Sequence, residues 1–488
     1  MKDFKFFVEK TKEIGYVTAL SHFVAYVSGL PGLKLEEMII TEKGIKGIVH
    51  SLEKKWAKVL ILEEGDLKIG DGVARTNEQF KIPVSEKVLG RIVNPLCQPL
   101  DGLGPIGGEK KYLPIKREAP GIIKRKRIKR FLETGVMTVD VLVPIGYGQR
   151  ELVIGDAKTG KTIFLLQAIS SQVKKGVVCV YVAIGKESEA IKMVENYLKE
   201  MKAFEMVTMV VATSRDTSTL NYLAPFSGMT IAEFFRDKGK DVMIIFDDLT
   251  THAKFYREIS LLLKRSPGRG SYPGDIFHIQ AALLERAGNI KFDGKEVSIT
   301  ALPVAETLEN DISGFIQTNL MAMTDGHIFF DIEEFRRGKR PAINAFLSVS
   351  RVGNQTKEIL DREISGWIKR KMASYRRIME VARFGIVLPK ETQEILELGK
   401  KMEILFEQGP KEIIPRSLQL LFLGLLISGF WEGKMEEIMK MEKNKILKNF
   451  EMGNLKGILE GIEKLEKIEN LKDFIKEKIP ALREIIYK

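Results

Sequence analysis

The stretch IGDAKTGKT, residues 154–162, decides the fold. Gly155 is followed by four residues (Asp156, Ala157, Lys158, Thr159) and then by Gly160, Lys161 and Thr162. The apolar run ELVIG leads into it, and KTIFLLQAISSQVKK, with helical spacing, leads out. That order is what a phosphate-binding loop requires. Gly155 and Gly160 let the backbone curl so that successive N–H groups face phosphate oxygens. The helix that follows adds its positive N-terminal end. Lys161 is expected to reach the β- and γ-phosphates, and Thr162 to ligate Mg2+ through its hydroxyl. Such a loop implies a bound nucleoside triphosphate and leaves open whether that nucleotide is hydrolysed.

Two runs further along carry the same fold. VVCVYVAIG (177–185) and DVMIIFDDL (241–249) are almost continuously apolar, as strands buried on both faces of a parallel sheet should be. The second ends in Asp247 and Asp248. Asp247, the first residue past the apolar run, is the expected carboxylate near Mg2+. The alternative for an Asp-Asp pair is a turn or a helix cap. Before this region, GYVTALSHFVAYVSGL, GIKGIVHSL and WAKVLILEE are short β-branched runs between glycines and charged turns, which suits a small barrel. From about residue 356 apolar residues recur at helical spacing, interrupted at GIVLPKET. DGLGPIGG (101–108) reads as a turn, and the five histidines (22, 50, 252, 278, 327) form no metal-ligand spacing.

Composition narrows the class. The 488 residues are enough for about two to four domains, and 44% of them are hydrophobic, ample for buried cores. The two cysteines cannot form a disulfide framework and fit a reducing compartment. The N-terminal MKDFKFFVEKTKEIG is charged throughout and lacks the apolar stretch of a signal peptide. LQLLFLGLLISGFW (418–431) is shorter than the about 20 residues of a membrane span and reads as a buried helix. The formal net charge is +12. Lys and Glu are interspersed, as on solvated helix faces. The densest run, KRKRIKR (124–130), has no aromatic residues on which bases could stack, so no nucleic-acid partner is expected.

LVPIGYGQRELVIGDAKTGKT, YVAIG, LAPFSG, FDDLTTHAKFYREISLLLKRSPGRGSYPGDIFHIQAALLERAG and RPAINAFLSVSRVG, in that order, resemble the alpha subunit of F-type ATP synthases, over about residues 14–480. The resemblance implies a multidomain protein: an N-terminal β-barrel (1–82), a central α/β RecA-like P-loop domain (83–355) and a C-terminal α-helical bundle (356–488). It implies ATP or ADP with Mg2+, the latter held by Thr162 and by Asp247 through water. It places Arg340, Pro341 and Gln408 near the adenine. Alpha subunits of the family alternate with catalytic beta subunits in a ring around a rotor shaft, beside a peripheral stalk. They hold nucleotide at non-catalytic sites and lend an arginine to the neighbouring site, which by motif is Arg351. The protein would thus belong to a proton-transporting ATP synthase, peripheral on the cytoplasmic face of the cell membrane and attached to it only through the complex.

Hydrolysis needs a carboxylate to polarise the attacking water. In this family the carboxylate lies just past the strand beside the phosphate-loop strand. Catalytic beta subunits end that strand Gly-Glu, and alpha subunits end it Gly-Gln. The sequence here reads AIGKESEA, so Lys186 takes the position. A charged lysine cannot act as base. Glu187 is one residue on, and a one-residue slip in a strand turns a side chain to the opposite face, so a surface glutamate is the default reading. Three further departures stand out: a short N-terminal helix where the family grips its stalk, Ala157-Lys158 in place of Arg-Gln, and the basic 124–130 run. They keep two alternatives open, a diverged rotary ATPase with a non-synthase role and a self-sufficient RecA-like hexameric export ATPase or RNA translocase.

Overall fold

The computed structural model describes residues 3–63, 65–382 and 389–487, so the first half of the expected interruption at GIVLPKET, residues 385–388, lies outside the described residues. The protein forms two compact units: residues 1–126, 176–306 and 312–324, and residues 127–175, 307–311 and 325–488.

The first unit begins with helix α1 (Phe4–Thr11), whose first turn is capped by Asp3 accepting from the Phe6 N–H at 3.0 Å. Six strands follow: β1 (Gly15–Ser21), β2 (Val24–Ser28), β3 (Glu37–Thr41), β4 (Lys46–Leu52), β5 (Ala57–Ile61) and β6 (Gly72–Gln79). They close into a barrel in the order β1-β2-β5-β4-β3-β6, with β1 returning to β6. Val17, Val27, Ile39, Val49, Val59 and Val73 fill it. Strands β3 and β6 add to the three runs read from the sequence. Strand β6, GVARTNEQ, is polar because part of what it buries is an ion pair: Arg75 donates to Glu37 of β3 at 3.1 Å and to Glu13 at 3.2 Å.

The same unit holds a parallel sheet. Its strands lie in the order Lys295–Thr307, Val242–Asp247, Val178–Lys186, Val207–Thr213 and Ile92–Val93. The residues of Val242–Asp247 are all buried, as their apolar run requires. The helices Ser218–Arg236 and Leu249–Leu262 belong to this unit, the first buried along almost its whole length. The glycine-rich 101–108 segment is a turn held by Asp101, whose carboxylate accepts from Arg91 at 2.7 and 2.8 Å.

In the second unit the strand Glu151–Asp156 pairs in parallel with Gly326–Phe330, which pairs antiparallel with Val349–Ser350. The loop after Asp156 opens the helix Lys161–Lys174. From residue 359 onward the described residues form six helices: Ile359–Ala382, Lys390–Phe406, Arg416–Ile427, Glu436–Glu451, Lys456–Ile462 and Ile468–Tyr487. The apolar run at 418–431 is the buried helix Arg416–Ile427 and the turn after it. Among the described residues no helix is long and apolar enough to cross a membrane. Arginines of the basic run serve as internal tethers. Arg125 donates to the Ala287 carbonyl at 3.1 Å, Arg127 to Gln355 at 2.8 Å, and Arg130 lies 4.7 Å from the centre of the Tyr147 ring.

Lys357 sits just ahead of the first of these six helices. Its ammonium donates to the Val141 carbonyl at 2.8 Å and to the Ser365 hydroxyl at 2.6 Å. Burial pushes its pKa down from 10.5 to about 7, against the opposing pull of Asp361 and Asp140. Between those values the unfolded protein binds more protons than the folded one. The lysine's contribution to stability therefore falls as pH drops from 10.5 towards 7, and recovers as pH rises. Wild type should gain on Lys357→Met, on the order of a few kcal/mol at 1.36 kcal/mol per unit, between pH 7 and pH 10. Paired denaturation curves at the two pH values check this; a constant gap between the proteins would contradict it.

Candidate functional site

The phosphate loop is shaped by what glycine lacks. A Cβ on Gly155 would lie 2.2 Å from the Phe330 carbonyl oxygen, so no side chain fits there. Gly160 has φ +101° and starts the helix Lys161–Lys174 without any side-chain cap, leaving first-turn N–H groups for an anion. The buried Lys161 ammonium curls onto the loop and donates to the carbonyls of Gly155 at 2.7 Å and Asp156 at 2.5 Å. The Thr159 hydroxyl donates to the Asp156 carbonyl at 2.7 Å. Asp156 is gripped from outside the loop, accepting from the Thr307 hydroxyl and from the Asn310 N–H at 3.0 Å. Asn310 in turn donates to Asp331 at 2.8 Å. Ala157, Lys158 and Thr162 complete the loop; Lys158 adopts φ +62°, and Thr162 is half-buried on the first helical turn.

In the first unit, the strand Val242–Asp247 ends in a carboxylate cluster that already holds a cation. The Lys186 ammonium is 2.8 Å from Asp247 Oδ1 and 3.0 Å from Asp248 Oδ2. The Tyr181 hydroxyl donates to Asp247 Oδ2 at 2.6 Å. Burial works against the charge on Lys186, but Asp247 and Asp248 outweigh it and hold its pKa above the ordinary lysine value. Burial, reinforced by Asp247, likewise holds the Tyr181 phenol well above its usual pKa. The two aspartates have separate tasks. Asp248 caps the helix Leu249–Leu262, accepting from the Thr251 N–H at 2.6 Å, and Asp247 caps nothing. Tyr181 is a partner the sequence reading passed over. A tyrosine within a strand buried on both faces must find an acceptor, and that was the available signal.

Glu187 is exposed and accepts from the Ser214 hydroxyl at 2.8 Å, clear of the aspartates that Lys186 engages. In the second unit, Arg340 lies over the Phe335 ring, 3.6 Å from its centre, and its carbonyl accepts from the Gln408 N–H at 2.8 Å. The Gln408 side chain is buried and engaged at both ends. Its amide nitrogen donates to the Gly135 and Glu412 carbonyls at 2.7 Å each, and its oxygen accepts from the Met137 N–H at 3.1 Å. Pro341 follows Arg340 and is half-buried. Arg351 is exposed at the end of Val349–Ser350. Its N–H donates to the Asp325 carbonyl at 3.0 Å, and among the described residues its guanidinium forms no ion pair. A cavity of about 710 Å3 lies in the first unit beside Glu36, His50, Lys116, Tyr222 and Arg265, and none of the residues above lines it.

Residues 135–350 match the family model for the nucleotide-binding domain of the ATP synthase alpha/beta family, and residues 355–484 match the model for the C-terminal domain of that family. Among similar proteins, the ATP synthase subunit alpha of Caldanaerobacter subterraneus subsp. tengcongensis is 43% identical over 403 residues, 82% of this protein and 79% of that one. The corresponding subunit of Clostridium acetobutylicum is 40% identical over 446 residues, 91% and 86% of the two proteins. That of Aquifex aeolicus is 39% identical over 436 residues, 89% and 86%.

With an exposed side chain held by a serine, Glu187 should behave as a surface residue. Glu187→Gln is expected to change ATP affinity and residual turnover of the purified protein by no more than about twofold, the range of a surface substitution. Measured turnover that disappears in the variant would make Glu187 a base.

Proposed function

The protein belongs to the ATP synthase alpha/beta family, and on that premise we propose that it is the alpha subunit of a rotary F-type ATP synthase, holding nucleotide without hydrolysing it. The observation that carries the non-catalytic part is the end of the strand Val178–Lys186. The position that needs a carboxylate bears an ammonium, and that ammonium is locked to Asp247 and Asp248. Neither the lysine nor its two partners has a free basic function to give a water molecule.

The remaining assignments are carried by motif. ATP or ADP binds at the loop Gly155–Thr162, with Asp156, Ala157, Lys158 and Thr159 forming its turn and Lys161 its phosphate contact. Arg340, Pro341 and Gln408 belong to the adenine side, Gln408 through its backbone, since its side chain is taken up by Gly135, Met137 and Glu412. For Mg2+ the expected donors are Thr162 and Asp247. The Thr162 hydroxyl suits the ion, whereas both oxygens of Asp247 already accept from Lys186 or Tyr181, so the carboxylate does not fit the metal as it stands. The protein divides into a barrel (1–82), a nucleotide domain (83–355) and a helical domain (356–488). Its partners are a beta-type catalytic subunit in an alternating ring, a rotor shaft and a peripheral stalk. The complex sits on the cytoplasmic face of the membrane and couples ATP turnover to proton transport.

Arg351 acts in trans in this reading. Its exposed guanidinium stabilises charge developing on the phosphoryl group at the neighbouring catalytic site, a demand greatest in the transition state.

Two outcomes follow. Lys161→Ala should lower the ATP affinity of the purified protein about ten- to a hundredfold, the worth of a hydrogen bond to a charged group, while the assembled ring keeps part of its turnover. Complete loss of turnover in an intact ring would contradict a non-catalytic site. Arg351→Ala should reduce ring turnover about a thousandfold or more with a smaller change in ATP affinity. Arg351→Lys should rescue poorly, because it lacks the planar fork of donors. Retention of more than about a tenth of wild-type turnover, against that thousandfold expectation, would return Arg351 to a structural role.

A further inference from the structure

The cavity of about 710 Å3 is lined entirely by residues of the first unit, and no residue of the phosphate loop belongs to it. Small-molecule sites run from roughly 300 to 1,000 Å3, so it is large enough to be one. Strand β4 of the barrel supplies His50 to its lining; the helices Ser218–Arg236, Leu249–Leu262 and Ile276–Leu284 supply further residues. Aromatic rings are prominent. Tyr222 and Tyr256 stack with ring centres 5.2 Å apart, Phe226 lies 5.5 Å from Tyr222, and the His50 ring meets Tyr256 edge-on at 6.3 Å. The charges are already matched. Lys58, Lys116, Arg265 and Arg286 pair with Glu53, Glu36, Asp275 and Glu233 at 2.5–2.8 Å, Arg117 reaches Glu233 at 3.0 Å, and Lys264 is exposed to water. An ionic ligand would have to compete with partners already in contact.

What stays unmatched is short of a neutral partner. The Thr219 hydroxyl is fully buried and has no hydrogen-bond partner among the described residues. Asp275 Oδ2 accepts from the Tyr256 hydroxyl at 2.9 Å and from Arg265 at 2.8 Å, whereas Oδ1, equally covered, accepts from no other described residue. Burial, reinforced by Arg265, pushes the His50 pKa down to about 4, so its ring is uncharged at neutral pH. Buried polar groups are almost always bonded, and those left over mark where a further partner belongs. We infer that this cavity is a binding site for a neutral aromatic molecule carrying a hydroxyl group, whose rings lie among Tyr222, Phe226, Tyr256 and His50 and whose hydroxyl donates to Asp275 Oδ1. Rings gain from such offset and edge-on neighbours beyond the area they bury. The site stands on its own residues and does not depend on the nucleotide reading.

The test is binding of 2-naphthol, 2-methoxynaphthalene and 2-naphthoate to the full-length protein, followed by ligand-observed NMR at neutral pH. The three share one ring system and differ in being a neutral donor, a neutral molecule without a donor, and an anion. 2-Naphthol should bind with Kd below about 1 mM, and each of the other two at least about tenfold more weakly, the worth of a hydrogen bond to a charged group. Saturating Mg-ATP should not displace it. Ala282→Trp places a large side chain at an exposed alanine that lines the cavity, and should weaken 2-naphthol about tenfold or more while leaving ATP affinity unchanged. No binding of 2-naphthol by wild type up to about 1 mM would overturn the inference without recourse to any variant. Equal or tighter binding of the methoxy compound or of the anion would overturn the chemistry assigned to the site. Displacement by ATP, or an Ala282→Trp protein that binds 2-naphthol as wild type does, would put the probe elsewhere and overturn the inference too.

Discussion

Two adjacent carboxylates at the end of a strand buried on both faces must be matched by positive charge or hydrogen bonds, because neither reaches enough water to be solvated. Asp247 and Asp248 are 5% and 1% exposed. Their matching draws in two further elements of the first unit. Lys186 and Tyr181 come from the neighbouring strand, and Thr251 from the helix that Asp248 caps. The side chain that ends one strand, the polar tip inside it and the entry of the next helix are thus fixed by a single charge balance. Gly185 is part of the same balance, since only the bulge it permits turns Lys186 toward the pair.

That balance also decides what chemistry the strand end can support. A base for water activation must have an unengaged lone pair and a charge state free to change. Lys186 has neither, being held as an ammonium by its partners. The carboxylate that follows it in sequence, Glu187, is carried outward to Ser214. On the proposed reading, the loop, the sheet and the helical region can be kept while hydrolysis is lost, because binding would depend on backbone geometry at Gly155 and Gly160, and hydrolysis on one side chain elsewhere.

The sequence was most legible where one physical requirement dominated. Continuous apolar runs became buried strands, and the Gly155–Thr162 spacing became a strand, a tight loop and a helix. Legibility failed where polar groups were buried. Strand β6 does not look like a barrel strand, because its Arg75 answers Glu37 and Glu13, which are distant in sequence. Gln408 gave no hint that its amide would tie together Gly135, Met137 and Glu412. Lys186 was readable as the wrong residue for a base. Its pairing with both aspartates needed the bulge, and a bulge is a matter of register between strands rather than of local pattern.

The grip on Asp156 has a kinetic meaning. Thr307 and Asn310 hold that carboxylate from outside the loop, Asn310 is held by Asp331, and Asp331 accepts from Asn344 at 2.9 Å. A glycine-containing loop left to itself would sample many shapes and would have to be frozen by its ligand, with a loss of affinity. Here the freezing is done during folding by a relay of side-chain amides and carboxylates. On the proposed reading, a nucleotide arriving at the loop would need no rearrangement of it, and encounter would set the pace of capture.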